Sequence, residues 1–193
     1  MTTPATDQPA DLPADLPADQ LASHQDAHQD AHQDVRVAVR TIAAPPEQIF
    51  ALLADPSRHH ETEPGEWVRE SVETEPEPIS AVGQTFAVKM HQASLGGDYT
   101  MVNRVTDFAD GRTIAWAPGM LSRSGRIAEG GHTWRYDLEP DGAGTRVTLT
   151  YDWRAMPQAT RDWMPSGMPP FPPTYLDASL AALDRAVTSR PHA

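Results

Sequence analysis

Between Val35 and Pro56 the chain changes from a strand-like segment to a proline-led helical one. The sequence VRVAVRTI has the period-two alternation that is typical of a half-buried strand. Pro45 and Pro46 preset the backbone for a first helical turn, and the apolar positions of IFALL then supply one buried face. Asp55, directly followed by proline, predicts the end of this helix. The folded part of the chain therefore opens with a strand that leads directly into a short helix.

Six further segments have the composition and alternation of strands. They lie near residues 66–74, 84–93, 98–108, 112–117, 132–139 and 145–153. Gly96-Gly97 and Asp141-Gly142 mark turns between consecutive segments, as antiparallel hairpins require. We therefore expect an antiparallel sheet of six or seven strands.

A long helix closes the chain after the proline-rich stretch RAMPQATRDWMPSGMPPFPP. Leu176, Leu180, Leu183 and Val187 recur at spacings of four, three and four, so one face of this helix is apolar. Thr174 and the acidic residue three positions later are expected to form an approximate capping box. The apolar face needs a partner surface, and the sheet supplies one. The pattern predicts an α+β domain with one sheet packed against the last helix.

The first 34 residues are expected to be a disordered acidic tail, and residues 35–190 to form the folded domain. The tail is built from the repeats DLPADLPADQ and HQDAHQDAHQD and contains no aromatic residue. Such sequence buries too little apolar surface to offset the entropy cost of ordering it. In a helix, His24, His28 and His32 would share one face and could bind zinc, copper or nickel. We expect a solvated tail without a metal role.

Composition excludes several classes of function. The net charge of −12 argues against a nucleic-acid-binding or anionic-membrane-binding surface. The absence of cysteine excludes disulfides, thiolate nucleophiles and cysteine-ligated zinc. No apolar run approaches a membrane span, and the first residues lack a signal-peptide pattern. We expect a cytoplasmic monomer or homodimer without membrane insertion, metal or cofactor.

Four segments carry a resemblance to a known family: VAVRTIAAPPEQIFALLADPSRH, WRYDLEP, GTRVTLTYDW and PPFPPTYLDASLAALDRAV. Together they resemble the START-like, or SRPBCC, superfamily of polyketide cyclases and lipid carriers, over nearly the whole chain after the tail. The resemblance implies a helix-grip fold, in which a curved antiparallel sheet wraps around a long C-terminal helix and a short helix follows the first strand. It also implies a deep apolar cavity between sheet and helix, without an obligatory cofactor.

Period-two alternation predicts which side chains would line such a cavity. Successive residues of a strand face opposite sides of the sheet, so every second residue should point at the helix. The resulting set is rich in tryptophan, tyrosine and methionine, which ligand pockets favour, although an ordinary core would use the same positions. The expected ligand-binding residues are Phe86, Val88, Met90, Met101, Trp116, Trp134, Tyr136, Tyr151, Trp153, Met168, Phe171, Tyr175, Leu176 and Ser179.

Few polar side chains are expected to act as catalytic groups in this cavity. His132, behind the flexible EGGH segment at a sheet rim, is the best candidate for an acid or base near neutral pH. Asn103 shares a strand face with an inward methionine and is the second candidate for a catalytic or polar anchoring role. His59 and His60 follow the helix-ending proline and are expected in a solvated loop without a metal.

Three other charged or titratable residues are expected outside the cavity. Alternation places His91 on the outer face of its strand. Arg135 and Asp137 alternate with inward aromatic residues, so we expect them to form an exposed ion pair.

The segment MPSGMPPFPP, residues 164–173, is interpreted as a lid over one end of the cavity. Gly167 permits local bending, and the prolines restrict the alternative conformations. Trp163, Met164, Met168 and Phe171 would form its apolar underside. A polyproline II ligand for another domain is the alternative interpretation.

Three classes of function remain open. The first is a binding module that carries or sequesters a small hydrophobic or aromatic metabolite. The second is a cofactor-free cyclase, aromatase or dehydratase that resembles the polyketide aromatases. The third is a co-chaperone or toxin-like regulator that works through its outer surface. Binding is favoured, because alternation places no convincing titratable pair inside the cavity and no nucleophile or nucleotide motif occurs.

Overall fold

The computed structural model describes residues 34–93, 96–122, 124–164 and 167–189. These residues form one antiparallel sheet whose order is β1-β8-β7-β5-β4-β3-β2, with β6 paired to β5 outside that path. The strands are β1 (Val35–Ile42), β2 (Val68–Ser71), β3 (Thr85–Gln92), β4 (Gly97–Ala109), β5 (Thr113–Leu121), β6 (Ile127–Glu129), β7 (Thr133–Asp141) and β8 (Gly144–Asp152). The helices are α1 (Pro46–Leu53), a 3-10 helix (Pro56–Thr62), α2 (Gln158–Trp163) and α3 (Tyr175–Thr188).

The predicted helix-grip architecture is confirmed: a curled antiparallel sheet, a short helix after β1 and a C-terminal helix. The expected tail repeats up to Gln33, with His24, His28 and His32, lie outside the described residues. No helix in the described part of the chain combines the length and apolar character that crossing a bilayer would need.

Burial of one face of α3 holds the closing helix on the sheet. The four residues of the predicted stripe, Leu176, Leu180, Leu183 and Val187, are all buried. They belong to the same apolar core as the fully buried Leu149 of β8. The stripe prediction is therefore confirmed, and hydrophobic burial accounts for the position of the helix.

Strand β1 alternates as expected, but its valines do not form the buried face. Ala38 and Ile42 are buried, whereas Val37 and Val39 are 57% and 42% exposed. Arg40 lies on the buried side and forms an ion pair of 2.8 Å with Asp184 of α3. The long arginine side chain can reach solvent from the helix-facing side, so this face tolerates a charge that a central strand would exclude.

The predicted end of α1 and start of α3 are confirmed, since α1 ends at Leu53 and α3 begins after Thr174, but two local details differ. Pro56 does not lead into a loop, because the Asp55 carboxylate accepts hydrogen bonds from the backbone and hydroxyl of Ser57 and starts the 3-10 helix. Thr174 makes no side-chain capping bond, since its backbone already has helical angles of φ −83° and ψ −2°. A capping side chain acts from an extended backbone, which Thr174 does not have.

Asp34, which the sequence assigned to the tail, contacts the folded domain. Its carboxylate accepts two hydrogen bonds from the Arg161 guanidinium, at 2.9 and 2.8 Å. Its backbone carbonyl accepts a hydrogen bond of 3.0 Å from the amide of Trp153. The same guanidinium also donates a hydrogen bond to the carbonyl of Trp153. Asp34 and Arg161 therefore connect the start of β1 to the segment that follows β8.

Candidate functional site: an aromatic cavity between the sheet and the last helix

A cavity of 180 Å³ lies between the concave face of the sheet and α3. Strands β3, β4, β5, β7 and β8 supply one wall through the inward positions that period-two alternation predicts. Tyr175 and Ser179, one helical turn apart on α3, supply the opposite side. The 3-10 helix and the segment around Phe171 close the remaining sides.

Most of the predicted lining residues meet at this cavity. Those that line it are Val88, Met90, Met101, Trp116, Trp134, Tyr136, Tyr151, Phe171, Tyr175 and Ser179, together with His132 and Asn103.

Four predicted lining residues do not reach the cavity wall. They are Phe86, Trp153, Met168 and Leu176, which instead pack in or against the surrounding core. Phe86 lies behind Trp116, with their ring centroids 5.7 Å apart. Leu176 belongs to the helix face that packs on the sheet, whereas Tyr175 and Ser179 lie on the neighbouring cavity face. Alternation correctly predicted the burial of Phe86 and Trp153, but burial and cavity lining are different properties.

Four aromatic rings form a continuous wall at one end of the cavity. The Trp134 and Tyr151 ring centroids are 4.5 Å apart, and those of Phe171 and Tyr175 are 4.7 Å apart. Phe171 also lies edge-on to Tyr151 at 4.9 Å, which joins the two pairs. Rings in these arrangements gain favourable quadrupole contacts in addition to the burial of apolar area. We call these four residues the aromatic wall.

His59 occupies a different environment from the solvated loop predicted for it. Only 7% of its surface is exposed, and Nε2 lies 2.9 Å from the backbone oxygen of Leu53. Its ring stacks on Trp116 at a centroid distance of 5.1 Å and lines the cavity. Burial lowers the pKa of His59, although the hydrogen bond to Leu53 partly offsets that effect. His60 is exposed, as expected.

A carboxylate and a phenol meet at the cavity, and the sequence pattern did not indicate this pair. The hydroxyl of Tyr175 donates to Oε1 of Glu63 at 2.5 Å. The Glu63 carboxylate also accepts hydrogen bonds from the backbone amides of Gly65 and Trp67. Burial, together with the adjacent Glu63 charge, raises the pKa of Tyr175. Glu63 lies in an irregular segment, where no periodicity predicts the direction of a side chain.

A second polar group lies where α3 meets the 3-10 helix. The Ser179 hydroxyl donates to the backbone oxygen of Thr62 at 2.7 Å. Burial raises the pKa of Tyr136, and hydrogen bonding with the Ser179 and Thr62 hydroxyls partly offsets that rise. These hydroxyls are therefore already paired within the protein.

His132 and Asn103 line the same cavity but have fewer internal partners. Nδ1 of His132 is buried and has no hydrogen-bond partner among the described residues. Burial lowers the pKa of His132 to about 4, so the imidazole is neutral at neutral pH. Asn103 is only 4% exposed. Both residues were predicted as candidates, and the structure places both at the cavity wall.

The segment predicted as a lid contributes only in part. Met164, Pro170 and Phe171 line the cavity, and the Met168 side chain packs against the core. Trp163 is 65% exposed and does not belong to an apolar underside. It ends the short helix α2, whose residues include none that are buried.

The residues predicted to lie outside the cavity do so. His91 pairs with Asp98 at 2.6 Å, and its side chain is 41% exposed. Arg135 forms the predicted pair with Asp137 at 2.6 Å and a further pair with Asp107 at 2.5 Å. In the part of the chain that the structure describes, no three His, Asp or Glu side chains converge on a position suited to a metal ion.

The fold and the cavity define a helix-grip domain with an internal aromatic site. This chain belongs to the polyketide cyclase / dehydrase and lipid transport family, whose sequence profile matches residues 33–188. The family includes both enzymes and carriers, so membership alone does not assign an activity.

Solved structures have the same fold. A protein from Arthrobacter aurescens superposes with a TM-score of 0.59 at 16% identity, over 83% of this chain and 90% of that chain. Protein Ms6760 from Mycobacterium smegmatis gives a TM-score of 0.58 at 16% identity, over 83% and 94% of the two chains. At such identities the likeness shows the fold alone.

Among curated proteins, the chain is similar to an uncharacterised protein of Mycobacterium tuberculosis, Rv0088. The two are 31% identical over 115 residues, which are 59% of this chain and 45% of that protein. This chain therefore matches less than half the length of that relative.

Proposed function

We propose that this domain binds one small hydrophobic or aromatic molecule in the cavity and acts as a carrier or sequestering module. The observation that supports the proposal is the lining: the aromatic wall, Trp116 and three methionines surround a cavity between the sheet and α3. Apolar and aromatic surfaces with a few polar groups are typical of sites for small molecules. Family membership supports the same class of ligand.

The volume of the cavity indicates the size of the ligand. An apolar cavity of about 150 Å³ in another protein accepts benzene. The cavity of this domain has a volume of 180 Å³, which suits a compact molecule of one or two rings. A long folded polyketone would require the walls to move apart. The volume therefore supports the binding of a compact metabolite over the cyclisation of a long chain.

A pair of methionine variants tests the proposal with naphthalene as the probe. Met101 lines the cavity, whereas Met120 is 50% exposed. Calorimetry should show one naphthalene bound per chain by the wild-type protein and by Met120→Trp. Met101→Trp fills cavity space and should bind at least about tenfold more weakly, a loss of 1.4 kcal/mol or more. Unfolding curves establish that both variants are folded. Equal binding by both variants, or no binding by the wild-type protein, would contradict the proposal.

A cyclase or dehydratase is the second candidate, and the Glu63–Tyr175 pair favours it. Reactions of this kind move protons next to a carbonyl, which requires an acid or base in contact with the ligand. The raised pKa of Tyr175 keeps its proton in place, as a hydrogen-bond donor to a carbonyl oxygen requires. Three donors already bind the Glu63 carboxylate, which limits its action as a base. Binding is therefore the preferred function.

Deuterium exchange separates the two candidates. With 2-tetralone in D₂O, an enzyme of this class should accelerate loss of the α-proton signals, and Glu63→Gln should abolish that acceleration. A binding module should leave the exchange rate at its value in buffer. Tyr175→Phe serves as the companion variant, because it removes the phenol and leaves the carboxylate.

A further inference from the structure

Asn103 and His132 both lie near Pro118 at the cavity wall. Asn103 of β4 pairs directly with Pro118 of β5 in the strand register. His132 lies near the same proline, because a Cβ added at Gly130 would be 2.8 Å from Nδ1 of His132 and 3.9 Å from the Pro118 oxygen. All three residues line the cavity. The two polar side chains therefore lie at the same cavity, on the two sides of β5.

The imidazole of His132 lies close to Gly130, where the absence of a side chain leaves room for the ring. A Cβ at position 130 would lie 2.8 Å from Nδ1 and 2.9 Å from Cε1 of His132. The Gly130 amide donates to the Pro118 oxygen at 3.1 Å, which fixes this glycine against β5. Nδ1 is therefore enclosed by protein, and Nε2 is the ring nitrogen left for the cavity. A neutral imidazole can donate or accept one hydrogen bond through that atom.

Asn103 presents a buried amide to the same space. Its side chain makes no hydrogen bond to another residue in the described ranges, although it is only 4% exposed. The amide atoms keep some accessible surface at the cavity, since among the described residues the only fully buried side-chain nitrogen or oxygen without a partner is Nδ1 of His132. Other polar groups of the cavity already have partners within the protein, because Tyr175 is bound to Glu63 and Ser179 to Thr62.

We propose that Asn103 and His132 form a polar subsite that binds an oxygen atom of the ligand. The ligand is then a ring compound with a hydroxyl or carbonyl group, rather than a pure hydrocarbon. Its rings lie against the aromatic wall, and its oxygen pairs with the amide and with Nε2. This inference rests on the proposed function, since it specifies the chemistry of the molecule that the cavity holds.

The ratio of two affinities tests the subsite. Naphthalene and 2-naphthol differ by one hydroxyl. In a purely apolar cavity this hydroxyl would lower the affinity, because it would lose its hydrogen bonds to water without replacing them. In the wild-type protein, 2-naphthol should bind at least as tightly as naphthalene. In Asn103→Leu and in His132→Phe, the ratio of 2-naphthol affinity to naphthalene affinity should fall about five- to tenfold, the value of one net hydrogen bond.

Two further variants keep the test independent of folding defects. Gly130→Ala retains both polar side chains but displaces the imidazole, so it should lower the same ratio. Met90→Leu changes an apolar part of the lining and should leave the ratio within about twofold of the wild-type value. Urea unfolding of each variant identifies those that are folded.

The outcomes separate the subsite from the proposed function. An equal affinity ratio in the wild-type protein and in the folded polar variants would overturn the subsite, while naphthalene binding itself would still support the cavity. If neither probe binds the wild-type protein, the proposed function fails and the subsite fails with it. A ratio that falls in the polar variants and Gly130→Ala, but not in Met90→Leu, supports the inference.

Discussion

The imidazole of His132 links the stability of the domain to pH. Burial lowers its pKa to about 4, whereas an imidazole in the unfolded chain titrates near 6.5. Below pH 6.5 the unfolded state therefore binds more protons than the folded state. The stabilisation is complete above that pH and is lost as the pH falls towards 4. The cavity beside the ring retains some accessible surface, which reduces the size of this effect.

We expect His132 to account for a loss of about 1–2 kcal/mol in the free energy of unfolding between pH 7 and pH 5. Urea unfolding at both pH values measures the loss. His132→Phe should reduce it by that amount, because phenylalanine has no proton to bind. His60→Gln, at an exposed histidine outside the cavity lining, is the control and should behave as the wild-type protein. Identical pH profiles for His132→Phe and the wild-type protein would show that His132 is solvated.

The direction of a side chain could be predicted from the sequence where the residue lies on a regular strand. Tyr136 and Tyr151 lie on regular strands, and alternation placed both at the cavity. His59 and Glu63 lie in the 3-10 helix and the irregular segment that follows, which have no such periodicity. The Asp-Pro sequence before His59 is compatible with a loop or with a 3-10 turn under the sheet, and only the tertiary contact with Trp116 distinguishes them.

At the scale of elements, α3 depends on the burial of its leucines. Leu183 is completely buried in the core, and Leu180 is 1% exposed. Leu183→Ala or Leu180→Ala should lower the free energy of unfolding by about 2–5 kcal/mol, the range for removing a buried leucine side chain. Arg185→Ala, on the exposed face of α3, should change it by less than about 0.5 kcal/mol. Neutral effects for both leucine variants in urea unfolding would contradict the packing of α3.

The segment before α3 is predicted to control access to the cavity. Phe171 contacts three other rings of the aromatic wall, whereas Trp163 points to solvent. Phe171→Ala should release bound 2-naphthol severalfold faster in stopped-flow measurements, because the closing ring is gone. Trp163→Ala should leave the release rate unchanged. Met168→Ala should have a smaller effect than Phe171→Ala, since Met168 is not part of the lining. Equal release rates for all three variants would reject a lid.

The order of the main elements followed from local patterns, but two short ones did not. Strand β6 has three residues, too few for an alternation to be recognised. Helix α2 lies within the proline-rich stretch and buries no residue, so it has no apolar face to mark it. The valines of β1 also did not indicate which face of the strand is buried. The face that packs on the domain carries Arg40, whose charge is paired with Asp184 of α3, far away in the sequence.

At the scale of the whole molecule, the acidic repeats are predicted to be dispensable up to Gln33. Deletion of residues 1–33 should leave the melting temperature nearly unchanged, since repeats without aromatic residues contribute little to a core. Deletion of residues 1–34 should lower the melting temperature more than deletion of residues 1–33 does. The longer deletion removes the Asp34 carboxylate, which accepts two hydrogen bonds from Arg161. Asp34→Ala in the full chain is the companion variant. A large fall for the shorter deletion would show that the tail stabilises the domain.

The central claim is that the cavity between the sheet and α3 holds a small ring compound. Native mass spectrometry of the protein purified from its own host tests it most directly, with Met101→Trp purified in parallel. The account predicts a wild-type mass increased by one small oxygen-containing molecule, and no such increase for Met101→Trp. The same added mass on both proteins would place the molecule outside the cavity, and an added long-chain lipid would contradict the ligand class inferred from the cavity volume.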